Sequence, residues 1–132
     1  MTATAASTNQ LTDLAVRWEQ ASAEDNAALL DAFIDLAGTT SDLPDLTADT
    51  VAQARLLARA GAIETAALRL VPTNVTLTGG LFEGRSYAVA QAVLPGQAVG
   101  VHSKGARTLG AAWLAAYLRA VARPAGNDTD SD

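Results

Sequence analysis

The sequence predicts an α+β fold in which long helices pack on a three-stranded antiparallel sheet. Apolar residues recur with a helical period in the N-terminal half and again after residue 104. Between these regions apolar and polar residues alternate, and the pairs Gly79-Gly80 and Pro95-Gly96 are typical of turns. We therefore expect a meander of three strands, flanked in sequence by helices and preceded by an N-terminal helix pair.

The N-terminal helix pair is predicted from two apolar stripes. Residues 10–21 form the first helix, because their apolar side chains recur at the spacing of one helix face. Ser22 has the type of side chain that caps a helix, and Asp25 follows in the next first turn, where the helix dipole favours anions. The second helix continues to Gly38, a residue type that commonly ends helices.

A third helix is predicted after a loop over residues 39–46, which are rich in Thr, Ser and Asp. Thr47 is its predicted N-cap, and the helical period continues to residue 71, since Pro72 disfavours helix at the residue before it. Gly61 lies within this pattern, so it either kinks the helix or divides it. Three short strands then follow over residues 75–78, 87–94 and 98–102.

The last helix is predicted over residues 104–122, with Ser103 as its N-cap. It is apolar on most of its sides, and one chain of this size buries both apolar faces with difficulty. We therefore expect self-association, as a dimer, through the second face of this helix. The residues of that predicted interface are Trp113, Leu114, Tyr117, Leu118 and Val121.

Length and composition limit the organisation and the partners. In a chain of 132 residues we expect one domain over residues 10–123, with a flexible N-terminus (1–9) and a disordered acidic tail (124–132). The net charge of −5 disfavours nonspecific binding to nucleic acid or anionic membranes. The lack of cysteine, of a secretory pattern and of a long apolar run leads us to expect a cytoplasmic protein.

The best candidate site lies at the start of the last predicted helix. Unpaired N–H groups there, together with Lys104 and Arg107, are suited to hold an anion. His102 and Ser103 precede them directly, and Arg85 joins the group if the second strand runs beside the third. The competing interpretation is that Ser103 only caps the helix.

Catalytic and metal-binding patterns are weak. His102 is the single histidine, so it is the only candidate for the base of a hydrolytic triad, and no other residue pattern supports that role. Asp31 and Asp35 lie close together on the second predicted helix, but a solvated helix face explains them better than acid–base or metal chemistry. We expect no cofactor, no metal and no enzymatic activity.

The last 75 or so residues resemble a double-stranded-RNA-binding domain in their order of one helix, three strands and one helix. The residues that carry this resemblance are Gly100, Ser103, Lys104, Ala106 and Ala111-Ala112. The resemblance implies phosphate contacts at the start of the last helix. Because the chain is acidic, a nucleic-acid-binding module is the second alternative, and its charge disfavours nucleic acid as a partner.

More of the chain resembles small phage and prophage proteins described as a phage α-β-α sandwich type. The matching segments are residues 14–21, 30–34, 66–72 and 108–120. This resemblance implies a phage-encoded protein of the host cytosol. We therefore expect a non-enzymatic, self-associating interaction protein that binds a host or phage partner. The first alternative is a protein that binds a nucleotide or another small anionic ligand.

Overall fold

The computed structural model describes residues 8–40, 43–44, 46–81, 88–96 and 100–122, and within them the predicted α+β fold is confirmed. The helices are α1 (Thr8–Gln20), α2 (Asn26–Thr39), α3 (Ala48–Arg59), α4 (Ile63–Leu70) and α5 (Leu109–Ala122). The strands are β1 (Thr76–Leu81), β2 (Ala88–Val93) and β3 (Val101–Ala106), in the antiparallel order β1-β2-β3. The predicted acidic tail and most of the predicted flexible N-terminus lie outside the described residues.

The helices that pack on the described sheet, α5 and α1, lie on one of its faces. α5 crosses all three strands, while α1 packs against α5 and against β3. α4 packs against α5 and α3, and α2 lies against α1 and α3. The C-terminal part of the predicted third helix therefore rests on α5 rather than mainly on the sheet.

The predicted third helix is divided in two at Gly61. Thr47 caps α3 as predicted, because its hydroxyl oxygen accepts a hydrogen bond from the Thr50 N–H at 3.1 Å. α3 ends at Arg59, and Gly61 has a φ of +83°, a left-handed conformation that glycine adopts without a steric penalty.

A 3-10 turn (Ala23–Asp25) joins α1 to α2, and its polar contacts differ from the predicted Ser22 cap. The Asp25 carboxylate accepts from the Ser22 N–H at 3.0 Å and from the Ser22 hydroxyl at 3.1 Å. This is one half of a capping box, in which the side chain three residues after the N-cap residue accepts a hydrogen bond from the backbone N–H of that N-cap residue. The bonds from the Ser22 backbone and side chain, with a smaller effect of Arg107, hold the pKa of Asp25 below its usual value.

The strand boundaries correct two predictions. Gly79 and Gly80 lie inside β1, not in a turn, and Gly79 pairs with Ala90. A Cβ atom at Gly79 would overlap the Val89 carbonyl oxygen, so glycine permits the close approach of β1 and β2. β3 begins at Val101 and extends beyond the predicted end of the third strand, through a bulge beside Ala88 and Val89.

The start of the last helix was also predicted wrongly. α5 begins at Leu109, and the Thr108 hydroxyl oxygen accepts from the Ala111 N–H at 3.2 Å, which is the contact of an N-cap. Ser103 lies within β3 and is 2% exposed, so it caps no helix. Lys104 therefore belongs to β3, where backbone pairing with β2 excludes helix.

The predicted dimer interface is largely interior to the chain. Leu114, Tyr117 and Leu118 are buried, whereas Trp113 and Val121 are half-buried. α1 packs along α5 and contributes Leu11, Leu14 and Trp18 to the same core. The apolar surplus that predicted self-association is thus covered within the chain at the three buried positions, and at Tyr117 the Phe33 ring of α2 contributes to the cover.

Burial of Tyr117 predicts a loss of stability in alkaline solution. Desolvation raises the pKa of its hydroxyl from 10.0 to about 12, so the folded state favours the neutral phenol. This contribution is complete below the unfolded pKa and is lost as the pH rises toward the folded pKa. We expect the free energy of unfolding to fall between about pH 10 and pH 12, and Tyr117→Phe to remove that fall. Urea denaturation at each pH measures it, and an unchanged slope in the variant would refute the assignment.

Candidate interaction surface

The sheet has one face covered by helices and one face that no described helix covers. Along β2, Ala88, Ala90 and Ala92 are buried beneath α5, and the alternate residues point to the opposite side. Cross-strand partners share a face, so the register extends this second side to β1 and β3. We name this surface the open face, formed by Thr76, Thr78, Val89, Gln91, Val93, His102 and Lys104.

The open face combines half-buried and exposed side chains. Val89, Gln91 and Val93 form a half-buried row along its centre, because both neighbouring strands shield them. His102 lies opposite Gln91 and Lys104 lies opposite Val89, and the side chains of His102 and Lys104 are exposed. The centre of the open face is therefore a row of two valines and one glutamine, and Lys104 on β3 places a positive charge beside it.

A polar cluster under the sheet fixes which side chains of β3 point outward. The Ser103 hydroxyl donates to Glu19 Oε2 at 2.7 Å, which joins β3 to α1. Arg119 of α5 donates to both oxygens of the same carboxylate, through Nε at 2.8 Å and Nη2 at 2.6 Å. The hydrogen bonds to Glu19 also raise the pKa of Arg119. Because side chains alternate along a strand, anchoring Ser103 inward directs His102 and Lys104 to the open face.

Removing the shared carboxylate should destabilise the fold. In Glu19→Ala, Arg119 and Ser103 lose their partner in a partly desolvated position, where Arg119 is 30% exposed. We expect the free energy of unfolding to fall by about 2 kcal/mol, below the range for fully buried pairs because water still reaches the guanidinium. Urea denaturation measures the change. Glu24→Ala, which alters an exposed carboxylate, is the control, and equal effects would refute this role of Glu19.

The structure brings together only part of the predicted anion site. His102 and Lys104 are neighbours on the open face, whereas Ser103 points to the other side of the sheet. Arg107 lies past the end of β3 and acts on the Asp25 carboxylate. Arg85 lies outside the described residues. The predicted combination of these cations with free N–H groups in the first turn of a helix is therefore wrong.

Asp31 and Asp35 were considered above as a weak candidate for acid–base or metal chemistry, and the structure gives Asp31 another partner. Asp31 forms an ion pair with Arg55 at 3.0 Å, between exposed side chains of α2 and α3. Among the residues that the structure describes, no three His, Asp or Glu side chains are grouped so that they could hold a metal ion. His102 has no carboxylate beside it on the described part of the open face.

The helical layer has a smaller apolar surface on its outer side. Leu56 and Leu68 are the large apolar residues that remain exposed among the described ones, at 63% and 52%. Leu68 borders a shallow groove of about 350 Å³ between the start of α3 and the end of α4. None of the described helices is long and apolar enough to cross a membrane.

Comparisons with family models, with curated proteins and with solved structures found no match to this chain.

Proposed function

We propose that this chain is a non-enzymatic interaction protein of phage or prophage origin that binds a protein partner through the open face. The observation that carries the proposal is a sheet face without a described covering element, built from aliphatic and cationic side chains. Such a surface can bury the Val89 and Val93 side chains against a partner. The phage origin is supported by the sequence segments that resemble phage proteins.

Charge segregation supports the open face over the helical layer as the binding surface. Every Asp and Glu of the described residues lies in a helix or in the 3-10 turn. The described part of the open face carries His102 and Lys104 and no carboxylate, although the whole chain has a charge of −5. A partner that approaches this face therefore meets the positive charge of Lys104 on an otherwise acidic protein.

A small anionic ligand, such as a nucleotide, is the second candidate function. It is favoured by the adjacent exposed side chains of His102 and Lys104 on β3. A helix N-terminus no longer favours this function, because α5 begins at Leu109, whereas His102 and Lys104 lie in β3. Self-association through the buried α5 residues is not part of the proposal.

The test compares three immobilised baits in lysate of the cells that produce the protein: wild type, Lys104→Glu and Arg59→Glu. Both variants make the same charge change at exposed sites, one on the open face and one on α3. We expect proteins retained by wild type and by Arg59→Glu to be lost from Lys104→Glu, because a like charge at the interface opposes association.

Two further measurements make this comparison decisive. Thermal unfolding of each bait shows whether both variants keep the wild-type fold. Absorbance at the nucleotide and protein bands shows whether a nucleotide copurifies, which would favour the second candidate. If every protein captured by wild type is also captured by folded Lys104→Glu, binding through the open face is wrong.

A further inference from the structure

β3 borders the open face and is an edge of the sheet. Among the described strands it pairs with β2 on one side and with none on the other. Its pairing is regular from Val101 to Lys104, and the bulge at Gly105, with a φ of +97°, interrupts it. Within the described part of the chain, this stretch of four residues thus has a backbone edge without a strand partner, which suits an added strand.

The charges beside this edge select the kind of strand. His102 and Lys104 are alternate residues on one face, about 6.6 Å apart along the strand. Residues at positions i and i+2 of an added strand have the same spacing and would lie directly beside them. Aspartate or glutamate at those two positions would place one carboxylate beside the Lys104 ammonium group and the other beside the His102 ring.

The residues on the opposite side of β3 disfavour acidic side chains at the intervening positions. Ser103 points to the helical layer, where it is bonded to the Glu19 carboxylate. An added carboxylate on that side would lie close to Glu19, whose side chain is only 12% exposed. A second copy of β3 would offer no carboxylate to Lys104, so self-pairing gains no charge complementarity.

On the basis of the proposed function, we infer that the partner contributes an extended acidic segment, with Asp or Glu at alternate positions, which adds to the free edge of β3. Main-chain hydrogen bonds give affinity in this mode of recognition, and the alternate side chains give specificity. His102 and Lys104 contact the carboxylates of the added segment. The bulge at Gly105 marks the end of the stretch of β3 with which that segment pairs.

The probe is a pair of synthetic peptides with the same composition. One has three aspartates alternating with threonines, and the other has the three aspartates adjacent at its centre. We titrate each into the ¹⁵N-labelled full chain and follow the backbone amides by NMR. The alternating peptide should bind at least about tenfold more tightly and should shift amides of Val101 to Lys104.

The variants and a salt titration complete the test. Lys104→Glu should weaken the alternating peptide about tenfold, Arg59→Glu should leave it unchanged, and added salt should weaken it because the charges are exposed. Equal affinity of the two peptides, shifts away from β3, or tighter binding of oligothymidylate than of either peptide would overturn the inference. If the inference fails but protein capture by the bait still requires Lys104, the proposed function remains supported. If capture does not require Lys104, the proposed function and the inference are both wrong.

Discussion

Trp18→Ala is expected to lower the free energy of unfolding by about 3–5 kcal/mol. Trp18 is fully buried and is among the largest fully buried side chains of the described core. Truncation removes its apolar contacts and leaves a cavity where α1 packs on α5. Urea denaturation of the full chain measures the change. Val16→Ala, at a half-buried position of the same helix, should cost less than half as much.

The same variant tests whether α1 replaces a second copy as the cover of α5. If α1 docks as described, loosening it should expose part of the apolar surface of α5 and promote association, visible by light scattering on a sizing column. A Trp18→Ala protein that keeps the wild-type stability would show that α1 does not cover α5. Self-association through α5, as predicted from the sequence, would then again be the expected way to cover its apolar face.

Gly110→Ala is expected to destabilise the chain by about 2–3 kcal/mol. A Cβ atom there would lie 2.7 Å from the Ile63 carbonyl carbon and oxygen and 2.8 Å from the Glu64 backbone nitrogen. These are backbone atoms at the start of α4, so they cannot yield by a rotamer change. The clash outweighs the helix propensity that alanine gains over glycine, which is at most about 1 kcal/mol.

Gly38→Ala is the matched control, because it makes the same change inside α2 with no atom within 4 Å of the new Cβ. It should stabilise the chain by a few tenths of a kcal/mol up to about 1 kcal/mol. Thermal unfolding of the two variants should therefore move the Tm in opposite directions. A Gly110→Ala protein as stable as wild type would mean that α4 and α5 do not cross so closely.

Local chemistry was enough to predict some features of the fold. Thr47 caps α3 because its hydroxyl meets the N–H groups that any helix start leaves unpaired. Gly61 could be identified as a break point, since glycine is the residue that adopts a positive φ readily. The change from a period of 3.6 to alternation after Pro72 predicted the sheet, and the strand order followed from short connections.

The boundary between β3 and α5 could not be read from local chemistry. Thr108 has the same type of capping side chain as Ser103, and local chemistry does not distinguish the two positions. The choice is made by contacts distant in sequence: β3 pairs with β2, and Ser103 bonds to Glu19, which lies 84 residues earlier. Because the start was misplaced, Lys104 was assigned to a helix turn instead of a sheet face.

One signal of the polar cluster was present in the sequence. Arg119 is the only charged residue within α5, and a cation on a mostly buried helix requires a partner. The sequence could not name that partner, since Glu19 belongs to an amphipathic helix where an acidic residue is ordinary. The open face was missed because the predicted third strand ended at His102, which left Lys104 outside the sheet.

Site-specific photocrosslinking tests the central claim, binding through the open face, most directly. A photoreactive phenylalanine derivative is placed at Thr78 or at His102, on the open face, and at Asp13 or Asp35, on exposed sides of α1 and α2. Irradiation in producing cells is followed by mass spectrometry of the adducts. We predict a common partner crosslinked from both open-face positions and from neither helical position. Adducts from the helical positions alone would contradict the account.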